Sequence, residues 1–140
     1  MTRILGIDHG EARIGLAISD ELGMLAHPLE TIAVKTVADP VAHIAAIVAR
    51  DKIGGIILGL PRNMDGTYGP AAEKVRAFAD KLRAACGCTV KLWDERLTTV
   101  AAQRSLHEAG RNAKTSREVI DQVAAQLILQ GWLDSQAMLG

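Results

Sequence analysis

Asp8, Glu95 and Asp121 are the residues whose types and settings fit them best for chemistry. Asp8 closes the apolar run Ile4-Leu5-Gly6-Ile7, and Gly10 lets the backbone turn just after it. Alone, such an aspartate reads first as a turn former. Asp121 is more telling. On a helix its same-face neighbours are Ala124, Ala125 and Ile128, and Ile120, Val123, Leu127 and Ile128 form an apolar stripe beside it. A carboxylate on or beside a buried face needs a cation, a hydrogen-bond network or a raised pKa. An arginine partner would satisfy it. A metal ion is favoured because two further carboxylates fall at comparable places. Glu95 lies in Asp94-Glu95-Arg96, just past an apolar stretch. Adjacent residues at a strand end point in different directions, so one of them can enter a site while Arg96 neutralises a carboxylate or holds a phosphate.

Oxygen ligands from separate elements suit Mg²⁺ or Mn²⁺, which prefer carboxylates, waters and phosphates. Two such ions about 4 Å apart activate a water and stabilise the leaving oxygen of a phosphodiester. That chemistry needs no protein nucleophile, and the chain shows no convincing Ser-His-Asp or Cys-His arrangement. Cys86 and Cys88 form a C-x-C pair without the further ligands a zinc site needs, so they read as reduced structural thiols. Lys plus Arg equals Asp plus Glu at 16 each, so net charge exerts no global pull on a polyanion. From Arg96 to Arg117, however, Arg96, Arg104, Arg111, Lys114 and Arg117 face one acid, Glu108. That stretch is a solvated helix face with its loop, or a phosphate-facing edge. At 3% the aromatic content is too low for a single-strand stacking platform.

The elements that must position these residues read as a mixed α/β layout. The 140 residues, 49% of them hydrophobic, suffice for one domain over 1–140 with an ordinary core. The N-terminus does not read as a signal peptide, and no apolar run is long enough to span a membrane, so a cytoplasmic protein is expected. Apolar runs at 4–8 and 14–19 and a third strand around 26–34 form an antiparallel meander. Asp39-Pro40 caps a helix that Gly54-Gly55 should end. Ile56-Ile57-Leu58-Gly59-Leu60 is a strand covered on both faces, and it opens into a loop over 61–69. A helix from Pro70 to about Ala85, a strand near 89–93 and a helix over 98–109 follow, and Thr115-Ser116-Arg117-Glu118 reads as a capping box opening the last helix. Strands joined by helical crossovers are parallel neighbours, and sites form at the C-terminal ends of the central ones. Asp8, the loop after Gly59 and Glu95 all fall at such ends.

Four collinear stretches resemble one family, the YqgF (RuvX) group of pre-16S rRNA nucleases and Holliday junction resolvases. They are Gly6-Ile7-Asp8-His9-Gly10-Glu11-Ala12-Arg13-Ile14-Gly15-Leu16-Ala17, Gly59-Leu60-Pro61-Arg62-Asn63-Met64-Asp65-Gly66-Thr67, Asp94-Glu95-Arg96-Leu97-Thr98-Thr99, and Asp121 through Leu129. The resemblance implies an RNase H-like fold with a mixed five-stranded sheet. It implies a cytoplasmic, metal-dependent nuclease of ribosome biogenesis that processes the 5′ end of the 16S rRNA precursor. By position, Asp8, Glu95 and Asp121 correspond to the family's acids and metal ligands. Arg13, Arg62, Asn63 and Arg96 correspond to substrate contacts. Implied partners are nucleic acid, whether an rRNA precursor or branched DNA, and a ribosomal particle, with the protein a monomer or homodimer. Related enzymes of the wider fold present four acids. Here Gln122-Val123-Ala124-Ala125 follows Asp121, so the fourth is Asp94 or absent. Three other readings stand beside this one. The first is a junction resolvase, which needs a dimer presenting two sites. The second is a nucleic-acid or ribosome-binding module without turnover. The third is an actin-like or sugar-kinase-like ATPase, of which one Asp-x-Gly turn supplies half.

Overall fold

A computed structural model describes residues 2–61, 65–94 and 113–139. Its strands are β1 (Arg3–His9), β2 (Arg13–Ser19), β3 (Ala26–Ala33), β4 (Ile53–Leu60) and β5 (Thr89–Asp94), and its helices are α1 (Pro40–Arg50), α2 (Pro70–Cys86) and α3 (Ala113–Leu139). They form one sheet in the order β3-β2-β1-β4-β5. β1–β2 and β2–β3 pair antiparallel, whereas β4 joins β1 and β5 joins β4 in parallel. The meander followed by helical crossovers is the layout the apolar runs predict.

Alternation along the strands sorts the core into two layers. Leu5 and Ile7 of β1, Ile14 and Leu16 of β2, and Ile56, Leu58 and Leu60 of β4 pack against α1 and α2. Ala17, Ala26 and Ile57 face the other way, against Ala125, Ile128, Leu129 and Leu133 of α3. β4 is covered on both sides, which is why its sequence is continuously apolar rather than alternating. Cys86 and Cys88 are free thiols at the edge of the first layer, and burial pushes both pKa values up.

Two helix boundaries differ from the sequence reading. Asp39 does cap α1, its Oδ1 accepting from the Ala42 N–H at 3.1 Å. The helix nevertheless stops at Arg50, where Asp51 is the C-cap and Lys52 takes a left-handed φ of 54°. Gly54 and Gly55 therefore lie inside β4, where the missing side chain of Gly54 makes room for Thr2. At the last helix, the backbone is already helical from Ala113, so Thr115 is an interior residue rather than a cap. The expected helix over 98–109 lies outside the described residues.

α3 lies close to the sheet because glycines face it. A Cβ on Gly6 would come within 2.6 Å of the Leu129 Cβ, and one on Gly15 would overlap the backbone carbonyl of Asp121. The register of α3 is fixed by glutamines at four-residue spacing. Gln122 Nε2 donates to Thr31 Oγ1 at 3.2 Å, and Gln126 Nε2 donates to the Ala26 carbonyl at 3.0 Å. Gln130 Oε1 accepts from the Ala26 N–H at 2.8 Å, and its Nε2 donates to the Met24 carbonyl at 2.9 Å. The stripe that packs is Ala125, Ile128, Leu129 and Leu133, with Val123, Ala124 and Leu127 half-buried at its margins.

This contact generates a steric prediction. Gly15→Ala should lower stability by at least about 2 kcal/mol, because the backbone of α3 has to lift from β2 to admit a methyl group. Denaturant unfolding followed by far-UV circular dichroism would measure it. An unchanged midpoint would mean that α3 does not rest on β2 at this point.

Candidate functional site

β1, β4 and β5 end at one rim of the sheet, where β2 begins. Asp8 pairs directly with Gly15 across β1–β2. Directly opposed residues of an antiparallel pair project to the same face. Gly15 is the residue on which Asp121 rests, so Asp8 and Asp121 share the α3 face of the sheet. Residues from near the two ends of the sequence thus meet at the C-terminal end of β1.

Arg13 completes this cluster. It precedes Gly15 by two positions and so shares its face. Its Nε donates to Asp121 Oδ2 at 2.7 Å, from a side chain 36% exposed to one 13% exposed. The arginine partner weighed for Asp121 is therefore present. Arg13, expected as a substrate contact, is engaged by the acid and keeps part of its guanidinium at the surface.

Asp94 falls elsewhere. Its partner in β4 is Leu60, which belongs to the α1/α2 core, and Leu92 two positions earlier packs there too. Alternation places Asp94 on the face opposite Asp8. Glu95, Arg62, Asn63 and Arg96 lie outside the described residues, as does the segment carrying Arg104 and Arg111. Among the described residues, no cluster of three or more His, Cys, Asp or Glu side chains is placed to hold a metal ion. The described contribution to such a site is two carboxylates on one face. A set of hard oxygen donors fits Mg²⁺ or Mn²⁺ and does not fit a soft-metal site.

His9 points the other way. Its ring lies 4.5 Å from that of Phe78 in α2, with a 41° tilt. Burial holds its pKa below the usual histidine value, the nearby Lys74 ammonium lowers it further, and Glu11 opposes the shift. Glu11 itself pairs with Lys74. The loop after β4 is described from Asp65, whose Oδ1 accepts from the Thr67 N–H at 3.0 Å, and Tyr68 lies 4.7 Å beneath the Arg76 guanidinium.

Sequence reasoning missed the glutamines that orient α3, though their four-residue spacing on an apolar helix was a readable signal. It also did not show the contact of Arg13 with Asp121, because residues 13 and 121 leave no local signature of their meeting.

The Arg13–Asp121 pair makes its own prediction. Removing either partner leaves a partly buried charge or donor unmatched, so a double-mutant cycle with Arg13→Gln and Asp121→Asn should show about 1–3 kcal/mol of coupling. Urea unfolding of the four proteins at neutral pH gives the value. Coupling indistinguishable from zero would reduce the pair to a surface contact.

The comparisons bear on the whole chain. The family model RuvX, described as Holliday junction resolvase, matches residues 2–135. A Myxococcus xanthus protein is 50% identical over 133 residues, covering 95% of this chain and 88% of its own length. One from Halothermothrix orenii is 48% identical over 137 residues, covering 98% of each. Both are provisionally named pre-16S rRNA nucleases. Among solved structures, T. thermophilus RuvC in complex with a Holliday junction substrate aligns with a TM-score of 0.56 at 17% identity, covering 98% of this chain and 96% of that one. The fowlpox virus Holliday junction resolvase aligns with a TM-score of 0.56 at 14% identity, covering 96% and 99%. At such identities the structural likeness establishes the fold alone, the RNase H-like fold of RuvC-type resolvases. With a family match over nearly its whole length and relatives at half identity, the chain belongs to the RuvX family.

Proposed function

We propose that this chain is a divalent-metal-dependent nuclease, a single domain over residues 1–140 that acts in the cytoplasm on the 5′ end of pre-16S rRNA. The observation that carries the reading is the placement of Asp8 and Asp121 on one face of the sheet, at the rim where β1 ends. The names of the half-identical relatives supply the substrate. No helix among the described residues is long and apolar enough to cross a membrane.

Asp8 and Asp121 would hold the ion, with Glu95, an acid by the family resemblance, as the third ligand. Bound Mg²⁺ or Mn²⁺ supplies the Lewis acidity that activates the attacking water and stabilises the leaving oxygen. Arg13 offsets the charge of Asp121 against that of Asp8 and offers its outer N–H groups to a phosphate. Arg62, Asn63 and Arg96, which the family resemblance gives as substrate contacts, would bind the strand with it. Asp94 is left out of the ligand set, because alternation turns it to the other face.

A junction-resolving activity is favoured by the description of the family as Holliday junction resolvase and requires two copies to present two sites. Labelled precursor RNA and a four-way DNA junction, incubated with Mn²⁺ or with EDTA, separate the readings. Cleavage of the RNA should vanish in EDTA, and in folded Asp8→Asn, Glu95→Gln and Asp121→Asn variants. Preference for the junction, with a dimer in solution, would transfer the assignment to DNA. Activity that persists in EDTA or in all three variants would falsify the metal mechanism, and binding without cleavage of either substrate would leave a non-catalytic module.

The same site predicts a stability effect. Asp8→Asn removes a negative charge beside Asp121, so it should fold normally with an unchanged or higher melting temperature in EDTA. A variant that fails to fold would make Asp8 a structural residue.

A further inference from the structure

On the other face of the same rim lies a cavity of about 370 Å³ between α2, the turn after β1 and the start of α1. The acid site uses none of it. Lys74, Ala77, Phe78 and Lys81 of α2 line it at the i, i+3, i+4, i+7 spacing of a single helix face. Ile14 and Phe78, both buried, form an apolar floor, and the half-buried His9 ring lies tilted over Phe78. The two lysines stand about 10 Å apart along the helix axis at the mouth. Ala77 is exposed between them, and its small side chain leaves the space open.

The charges at the mouth favour an anion. Glu73 and Asp80 on α2 are engaged by Arg76 and Arg83. Glu11 pairs with Lys74, and Lys81 has no acidic partner among the described residues. Lys74 and Lys81 against Glu11 leave a net positive mouth over an apolar, ring-bearing floor. That combination recognises an anion with a planar body, and the volume lies within the roughly 300–1,000 Å³ range of small-molecule sites. We propose that this cavity binds a nucleotide, its phosphate at Lys81 and Lys74 and its base on the floor of Phe78, His9 and Ile14.

The choice of a nucleotide over other phosphorylated molecules rests on the nucleic-acid reading above. Two sources share the chemistry. One is a free nucleoside monophosphate. The other is a nucleotide of the substrate strand itself, because His9 directly follows Asp8 and the Gly10 turn is the short path between the two faces. A strand cut beside Asp8 can turn over Gly10 and seat a neighbouring base in the cavity.

Binding can be read without cleavage. The full chain, in EDTA and carrying Asp8→Asn, would be titrated by NMR with nucleoside 5′-monophosphates, ribose 5-phosphate, inorganic phosphate and a short oligoribonucleotide. Shifts in His9, Ala77, Phe78 and Lys81 with the monophosphates assign a free-nucleotide site, and shifts with the oligonucleotide alone assign a strand subsite. Lys81→Glu removes a cation of the mouth and Ala77→Leu fills the space. Each changes an exposed residue and should weaken binding about tenfold, the loss of one charge-assisted contact or its equivalent in volume. Ribose 5-phosphate or phosphate binding as well as the nucleotides would overturn the nucleotide assignment. Silence of these residues with every probe, or full affinity in both variants, would overturn the site altogether. Because the readout is binding in EDTA, its failure is distinguishable from failure of the nuclease reading.

Discussion

The approach of α3 to β1 and β2 at Gly6 and Gly15 is the constraint on which the site depends. A helix can lie with its backbone against a sheet only where the facing positions lack a Cβ, and here the strand residues supply that absence. The consequence is chemical. Asp121 is held over the residue directly opposite Asp8, so two acids separated by most of the sequence come to share one small region. The glutamines set where along its axis α3 rests on the sheet. Without them the helix could slide by a turn of about 5 Å, which exceeds the tolerance of any ligand set. Side-chain amides bonded to the edge strand β3 thus do for position what the apolar layer does for affinity.

Such closeness has an electrostatic cost, and Arg13 offsets it. A carboxylate 13% exposed has lost much of its hydration, and a second carboxylate on the same face raises the penalty. The guanidinium reduces it from one side. An acid pair that an arginine neutralised in full would be structural, whereas one arginine shared between a buried acid and the solvent is compatible with an ion and a phosphate arriving together.

Much of this was legible in the sequence, for physical reasons that differ by element. The antiparallel meander and the parallel strands after it followed from the succession of apolar runs and helical crossovers, and the continuous run of β4 recorded that both its faces are covered. Asp121 was legible as a carboxylate on a buried helix face, since its neighbours at three and four residues are apolar. The end of α1 was not. Glycines are strong stop signals, but Gly54 and Gly55 serve close packing inside β4, and the turn is made by Asp51 and Lys52. Thr115-Ser116-Arg117-Glu118 has the residues of a capping box, yet the helix runs through it, because local pattern says nothing of what lies before it. Asp94 remained open as a fourth acid until register was known, since a shift of one residue moves every side chain to the other face.

The turn between β1 and β2 shows why one short segment carries so much. Gly10 donates its N–H to the Arg13 carbonyl at 3.0 Å, closing the turn, and Ala12 accepts from the Val34 N–H at 3.0 Å, tying it to the end of β3. From this frame Asp8 and Arg13 face α3, while His9 contacts α2 and Glu11 pairs with Lys74. Six consecutive residues therefore set the sheet against helices on both of its faces. They do so with an acid, a ring, a glycine, an acid, a small residue and a base, the hairpin turn at 10–12 returning Arg13 to the face of Asp8. Exchanging Asp8 and His9, the neighbouring strand residues, would send each side chain to the wrong layer. A single tight turn thus serves two faces of the sheet, with Asp8 and Arg13 toward α3 and His9 and Glu11 toward α2.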